Sequence, residues 1–269
     1  MKLHFSFRLP PSAFILLFLS ACLATVTPPP PVVLKAAGST SMAPLLADLA
    51  AAYSAQQPHI TFDIQGGGSH LGQTLVESGR VDLGLVSWPA QNLPGAVRSI
   101  PIARDAVAII LHPDHKIENL PLLQVRDIFS GRLLNWQEVD GRAGPIQVIS
   151  REDGSGTRAA FEALVMADER VTPTAIVLPN SQAVIDYVAH HAGAVGYVSL
   201  ALVTEKVYAV SLEGVPPSLD SLTGGNYPLI RELSLLVPPQ SQPELAKFVE
   251  FSLSPAGQAI VATKWGPVR

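Results

Sequence analysis

Three short stretches hold the polar residues whose types and spacing could do chemistry: Gly38-Ser39-Thr40-Ser41, Gly66-Gly67-Gly68-Ser69 and Gly154-Ser155-Gly156-Thr157. Each follows a run with strand character and opens one with helix character. The first N–H groups of a helix have no partner inside it, so such a mouth attracts anions. Small residues let those donors come close to a ligand. The third stretch also has Arg151 and Asp153 just ahead of it, in VISREDGSGTRAAFEAL (148–164). A polar strand-to-helix turn with Ser155 or Thr157 as N-cap would explain the third stretch taken alone. Three in one chain, with an arginine beside one, point to an oxyanion site.

Other chemistries lack their residues. No G-x-x-x-x-G-K-[ST] is present to cradle nucleotide phosphates, and Leu71 stands where G-x-G-x-x-G needs its last glycine. No serine occupies a G-x-S-x-G elbow. His112, His115, His190 and His191 build no metal-ligand pattern with nearby acids and read as surface residues, so neither metal nor cofactor is expected. Hydrophobic residues make up 48% of the chain and charged ones 15%, which excludes a disordered polypeptide. No long Lys/Arg run offers a path for a nucleic-acid backbone.

The elements that must position the three turns alternate. MAPLLADLAAAY places Met42, Leu45, Leu46, Leu49 and Tyr53 on one helical face, with Pro44 in the first turn. HITFDIQ alternates as a strand, and a short helix follows from about Ser69, with Gly79 as its stop. VDLGLVSW and AVAIILHP are apolar runs of strand length, suited to a sheet buried on both faces. LLQVRDIFSG reads as a helix, IQVIS as a strand, RAAFEALV as a helix, and SQAVIDYVAHHAG as a helix capped by Ser181. AVGYVSLALV, VYAVSL and ELSLLV follow as strands, then helical PELAKFVEFSL and GQAIVAT. This alternation implies an α/β fold with mostly parallel sheets, in which ligands sit beyond the carboxyl ends of strands.

The N-terminus reads as a targeting segment. Lys2 and Arg8 precede FILLFLSAC, too short an apolar stretch for a spanning helix. Leu19-Ser20-Ala21-Cys22 resembles a bacterial lipobox, with residues 1–21 as signal peptide and Cys22, the one cysteine of the chain, as the acylated residue. Residues 22–32, with four consecutive prolines, form a stiff tether. Removal of Lys2 and Arg8 would take the formal charge from −4 to −6, so an anion must be held by local groups rather than by an overall field.

The turns and their surroundings resemble the phosphate-binding proteins of bacterial phosphate ABC importers, the PstS family. The resemblance runs through AGSTSMAPL, QGGGS, VDLGLVS, DIFSGRLLNW, SREDGSGTRAAFE and GAVGYVSLA. It implies a two-lobed periplasmic-binding-protein fold, type II-like, with the ligand in the cleft. Lobe I is expected over 33–108 plus 229–269 and lobe II over 109–228. Carried over by position, Thr40, Ser41, Ser69, Arg151, Ser155, Gly156 and Thr157 bind the anion, and Asp153 pairs with Arg151. The partners implied are inorganic phosphate, a membrane permease and, through Cys22, the membrane itself; the protein is expected to be a monomer without catalytic function.

One position departs from the family. After VDLGLVS an aspartate usually accepts the proton of hydrogen phosphate, and here Trp88 stands there. An indole N–H can only donate. His70 could accept the proton instead, or be an exposed helix residue; Trp88 could equally pack on the cleft rim. A receptor for sulfate, molybdate or tungstate therefore stays open, and so does a hydrolase using Ser69 with His70.

Overall fold

The structure, a computed structural model, describes residues 1–2, 29–89, 93 and 97–268. The expected signal peptide, Cys22 and most of the expected tether lie outside the described residues. The chain divides into Met1–Pro30 and Pro31–Arg269, and the second unit carries all the elements below. No helix among the described residues is long and apolar enough to cross a membrane.

The first half of that unit runs β1 (Val32–Gly38), α1 (Ala43–Gln56), β2 (Ile60–Gln65), α2 (Ser69–Glu77), β3 (Leu83–Val86) and the long β4 (Arg98–Leu111). Next come β5 (Asn119–Leu120), α3 (Leu122–Ser130), β6 (Gln147–Arg151), α4 (Gly156–Phe161), β7 (Ile176–Leu178), α5 (Ser181–His190) and β8 (Ala194–Ser199). Then follow β9 (Tyr208–Ala209), β10 (Ser211–Leu212), α6 (Leu219–Thr223), β11 (Ile230–Val237), α7 (Pro243–Leu253) and α8 (Pro255–Val261). The apolar stripe of α1 forms as its spacing dictates: Met42, Leu45, Leu46, Leu49 and Tyr53 are all buried. Each such leucine contributes about 1.5–3 kcal/mol of burial.

One nine-stranded sheet connects the unit, in the order β2-β1-β3-β11-β4-β8-β6-β7, with β9 also on β4. The sheet is mixed, not mostly parallel. The β1–β2, β1–β3, β6–β7 and β6–β8 pairs are parallel, whereas β11 with β3, and β4 with β11, β8 and β9, are antiparallel. The long middle strands cause this, since the chain crosses the sheet's centre once on β4 and returns on β11. The front half of β4 extends well ahead of the expected AVAIILHP strand. There Ser234 pairs with Pro101 after Leu233 has paired with Ala103, so Ile102 is bulged out beside a residue that has no N–H to offer the ladder.

The apolar core changes identity along these two strands. Leu34, Leu49, Leu85, Ile102, Ala103, Leu233 and Phe248 belong to one cluster, while Ala106, Ile109, Phe129, Phe161, Tyr197 and Leu229 belong to another. Asp105 on β4 and Arg231 on β11 are register partners and sit where one core gives way to the other.

Two local expectations are corrected. The cap of α5 is Asn180, whose side chain accepts from the Ala183 N–H at 2.8 Å, with Ser181 the first helical residue. The helix after the third turn keeps α-geometry only to Phe161 and then widens into a π-turn over Glu162–Met166.

Candidate functional site

All three polar turns join a strand end to a helix mouth: β1 to α1, β2 to α2 and β6 to α4. The backbone brings them together. The Ser39 N–H donates to the Leu85 carbonyl at 2.9 Å, tying the first turn to β3. The His70 N–H donates to the Gly154 carbonyl at 3.1 Å, tying the second turn to the third. Gly68, at φ +91°, is required at that junction, because a Cβ would stand 2.8 Å from the Gly154 carbonyl oxygen. Gly156 is required for space: a Cβ there would collide with the hydroxyls of Ser69 and Ser87.

The result is a buried cluster of hydroxyls. Ser39 Oγ hydrogen-bonds with Ser41 Oγ at 3.0 Å and donates to Ser87 Oγ at 2.9 Å. Ser69 Oγ accepts from the Ser87 N–H at 3.1 Å, and Thr157 Oγ1 donates to Ser41 Oγ at 3.4 Å. Ser155 is buried as the N-cap of α4, accepting from the Arg158 N–H. These residues come from elements on both sides of the change of core.

At the centre of the cluster lies Arg231, 3% exposed. Its Nη1 donates to Thr157 Oγ1 at 2.9 Å and Ser87 Oγ at 3.4 Å, and its Nη2 to Ser41 Oγ at 3.2 Å. Its Nε and Nη2 also donate to Asp105 Oδ2, at 3.0 and 2.7 Å. Arg151 is a second buried cation, 1% exposed. Its Nη2 reaches Thr40 Oγ1 at 3.4 Å and its Nη1 reaches Ser181 Oγ at 3.2 Å.

The expected Asp153–Arg151 pair is corrected. Arg151 lays its fork on Glu152, with Nε and Nη2 each 2.8 Å from a carboxylate oxygen. Asp153 is exposed and pairs with Arg158 at 2.7 Å. Behind β6, Ser150 and the Arg151 N–H both hydrogen-bond the Tyr197 hydroxyl. Burial pushes the Tyr197 phenol up to about 12, so at neutral pH it is a neutral prop for this strand end. Burial works against the Arg158 charge, but Glu162 and Asp153 outweigh it and raise its pKa.

Of the two uncertain positions, His70 is exposed and Trp88 is half-buried against the second core. Both line an outer cavity of about 1080 Å³, together with Ser69, Ser155, Gly156 and Arg158. Of the histidines expected at the surface, His115 is fully buried, with Nε2 on Asp140 Oδ2 at 2.9 Å and its ring edge-on to Trp136. Among the described residues no His/Cys/Asp/Glu group could hold a metal.

Sequence reasoning missed Ser87, Asp105 and Arg231, and it placed Ser39 in the first turn without assigning it to the anion. Ser87 had a signal, since it follows the buried strand β3 at its carboxyl end, where ligands sit. Asp105 and Arg231 also had one: each is a charge inside an apolar strand run, and a buried charge needs a partner of opposite sign.

A mixed sheet with two cores and a donor-rich cradle at the strand ends between them defines the periplasmic-binding-protein class of receptor. Residues 25–256 match a PBP superfamily domain. The phosphate-binding protein PstS of Bacillus subtilis is 30% identical over 201 residues, covering 73% of this chain and 67% of that protein. PstS of Pseudomonas aeruginosa is 29% identical over 261 residues, covering 85% and 80%. A phosphate ABC transporter substrate-binding protein from Clostridium perfringens, solved with bound phosphate, superposes with a TM-score of 0.85 at 29% identity over 88% of this chain and all of that one. The chain belongs to the PstS family. Its relatives are binding and transport proteins, and it is a receptor rather than an enzyme.

Proposed function

We propose that this chain captures inorganic phosphate in the cradle between its two cores and delivers it to the permease of an ABC importer, while held outside the cytoplasm by an acyl group on Cys22. Thr40, Ser41, Ser69, Arg151, Ser155, Gly156 and Thr157 are the residues assigned to the anion, joined by Ser39, Ser87 and Arg231. The carrying observation is the convergence on Arg231 of buried hydroxyls from two helix mouths, Ser41 and Thr157, and from the end of β3, Ser87, to which Ser69 of the remaining mouth is hydrogen-bonded. Such a set offers a small anion many hydrogen bonds plus charge in a water-poor place, where charge-assisted bonds are strong. The lobes are taken to exchange at β4 and β11, with Asp105 and Arg231 at the exchange.

The hydrolase reading has little support, because the Ser69 hydroxyl is engaged with Ser87 and His70 is exposed. Replacement of the family's aspartate by Trp88 favours a second reading, a general tetrahedral-oxyanion receptor. Calorimetric titration with phosphate, arsenate, sulfate and molybdate separates the two. Saturable phosphate binding with sulfate and molybdate much weaker is expected. Preference for sulfate or molybdate would establish the second reading, and no saturable anion binding would sink both.

A further inference from the structure

The outer cavity is larger than the anion assigned to the cradle needs. At about 1080 Å³ it lies at the upper end of sites that hold organic ligands, and inorganic phosphate would fill a small part of it. It adjoins the cradle, because Ser69, Ser155 and Gly156 belong to both. Nor is it a gap that the approach of its two sides would remove. Those sides already touch beside it, through the His70 N–H on the Gly154 carbonyl and through Thr157 Oγ1 on Ser41 Oγ.

One face of α2 runs along this cavity: Ser69, His70, Gln73 and Glu77 lie at helical spacing and all line it. From Ser69 to Glu77 is about 12 Å at a rise of about 1.5 Å per residue. The positive end of the helix is at the cradle, and its negative end is at Glu77. Trp88, next in sequence to Ser87 of the cradle, joins Val86, Ala159, Ala163 and Val171 as apolar wall. The charges on the wall are mainly negative. Arg158 is shared between Asp153 and Glu162, and Glu169 is paired with Arg132. Glu77 and Asp168, both exposed, then outnumber Arg170.

We infer that this cavity receives the substituent of a phosphate monoester whose phosphoryl group is held in the cradle, and that the substituent is an alkyl chain ending in an ammonium. The inference rests on the phosphate reading above, to which it adds a class of organic ligand. The phosphoryl group meets the donors of the cradle and the positive end of α2. The chain lies on Trp88 and its apolar neighbours, and the ammonium meets Glu77 and Asp168. A chain ending in a carboxylate meets the same acids as like charges, so the wall selects as well as binds.

The test titrates the full chain with inorganic phosphate and with aminohexyl, hexyl and carboxypentyl phosphate, esters of like length that differ in their end group. Aminohexyl phosphate is expected to bind roughly five- to thirtyfold more tightly than carboxypentyl phosphate, with hexyl phosphate between them. Salt should narrow the gap, because both acids are exposed. Glu77→Lys combined with Asp168→Lys should reverse the order. Trp88→Ala should weaken hexyl phosphate more than inorganic phosphate, whereas a merely structural role would weaken both alike. Binding of inorganic phosphate but of none of the esters would overturn the inference and leave the phosphate reading standing. Three esters bound alike, a preference unchanged in the double lysine variant, or equal losses in Trp88→Ala would overturn it too. An ester bound without any affinity for inorganic phosphate would overturn the phosphate reading alone, and binding of neither would sink both.

Discussion

Arg231 and Arg151 bring the same charge to one site, yet their losses should be felt differently. Arg231 is bonded to a carboxylate that is itself 1% exposed, so Arg231→Ala strands a buried charge. Removing one partner of such a pair costs about 3–5 kcal/mol, which for a unit of this size is roughly 6–20 °C in melting temperature. Arg151 faces Glu152, which is half-buried and can turn to water. Arg151→Ala should therefore melt within a few degrees of wild type while phosphate affinity falls by roughly ten- to several-hundredfold, the worth of one or two charge-assisted hydrogen bonds. Arg151→Lys should recover part of the affinity, since an ammonium lacks the planar fork. Calorimetry and thermal melts on the three variants check this. Unchanged phosphate affinity in Arg151→Ala would leave Arg231 as the sole cation of the site.

At the scale of elements, the segment between β4 and β6 is held by His115, Asp140 and Trp136, whose indole N–H donates to the Gly193 carbonyl at 3.0 Å. Partial burial pushes the Asp140 carboxyl up, but the Arg142 N–H and His115 outweigh it and hold it below its usual value. A carboxyl whose folded pKa is depressed adds stability above its unfolded value, near 3.8, and loses it as pH falls through the lower folded value. Asp140→Asn should thus cost about 1 kcal/mol at neutral pH, a low value because water reaches this carboxylate, and the gap should close below about pH 3.8. Denaturant melts across pH measure it; a gap that does not change with pH would remove the carboxylate's charge from the account. This segment also marks how far the sequence could be read. Periodicity and glycine stops located α1, β2, α2 and α3, because each buries one regular face. His115 looked like a surface residue because its partner is 25 positions away. The front of β4 was hidden by Pro101 and the charges Arg104 and Asp105, which break an apolar pattern that only the bulge and Arg231 make acceptable. At the third turn the residue types were legible but not the pairing. Which of two adjacent acids meets Arg151 depends on how the chain turns after β6.

For the whole molecule, the proposed attachment to a membrane raises the question of what would hold a receptor of this charge there. From Cys22 onward the chain carries a formal charge of −6, obtained by removing Lys2 and Arg8 from a total of −4, and no Lys or Arg occurs before Lys35. Basic residues near a membrane surface contribute about 1 kcal/mol each by attraction to anionic lipids, and this tether has none to contribute. Its prolines at 28–31 favour an extended spacer, which adds reach but no affinity. The proposed acylation at Cys22 would then have to supply the attachment, and stable anchoring by lipid alone needs more than one chain. The expectation is specific. Wild-type protein should stay with membranes through a high-salt wash, because screening has no ionic attraction to weaken. Cys22→Ala should be released or remain with its signal uncleaved. A chain beginning at Pro31 should bind phosphate as tightly as the full one, since every residue of the cradle lies beyond that point. Fractionation with immunoblotting, alongside titration of the shortened chain, measures all three. Membrane association that salt abolishes, or that survives Cys22→Ala after signal removal, would show that something other than the cysteine holds the receptor in place.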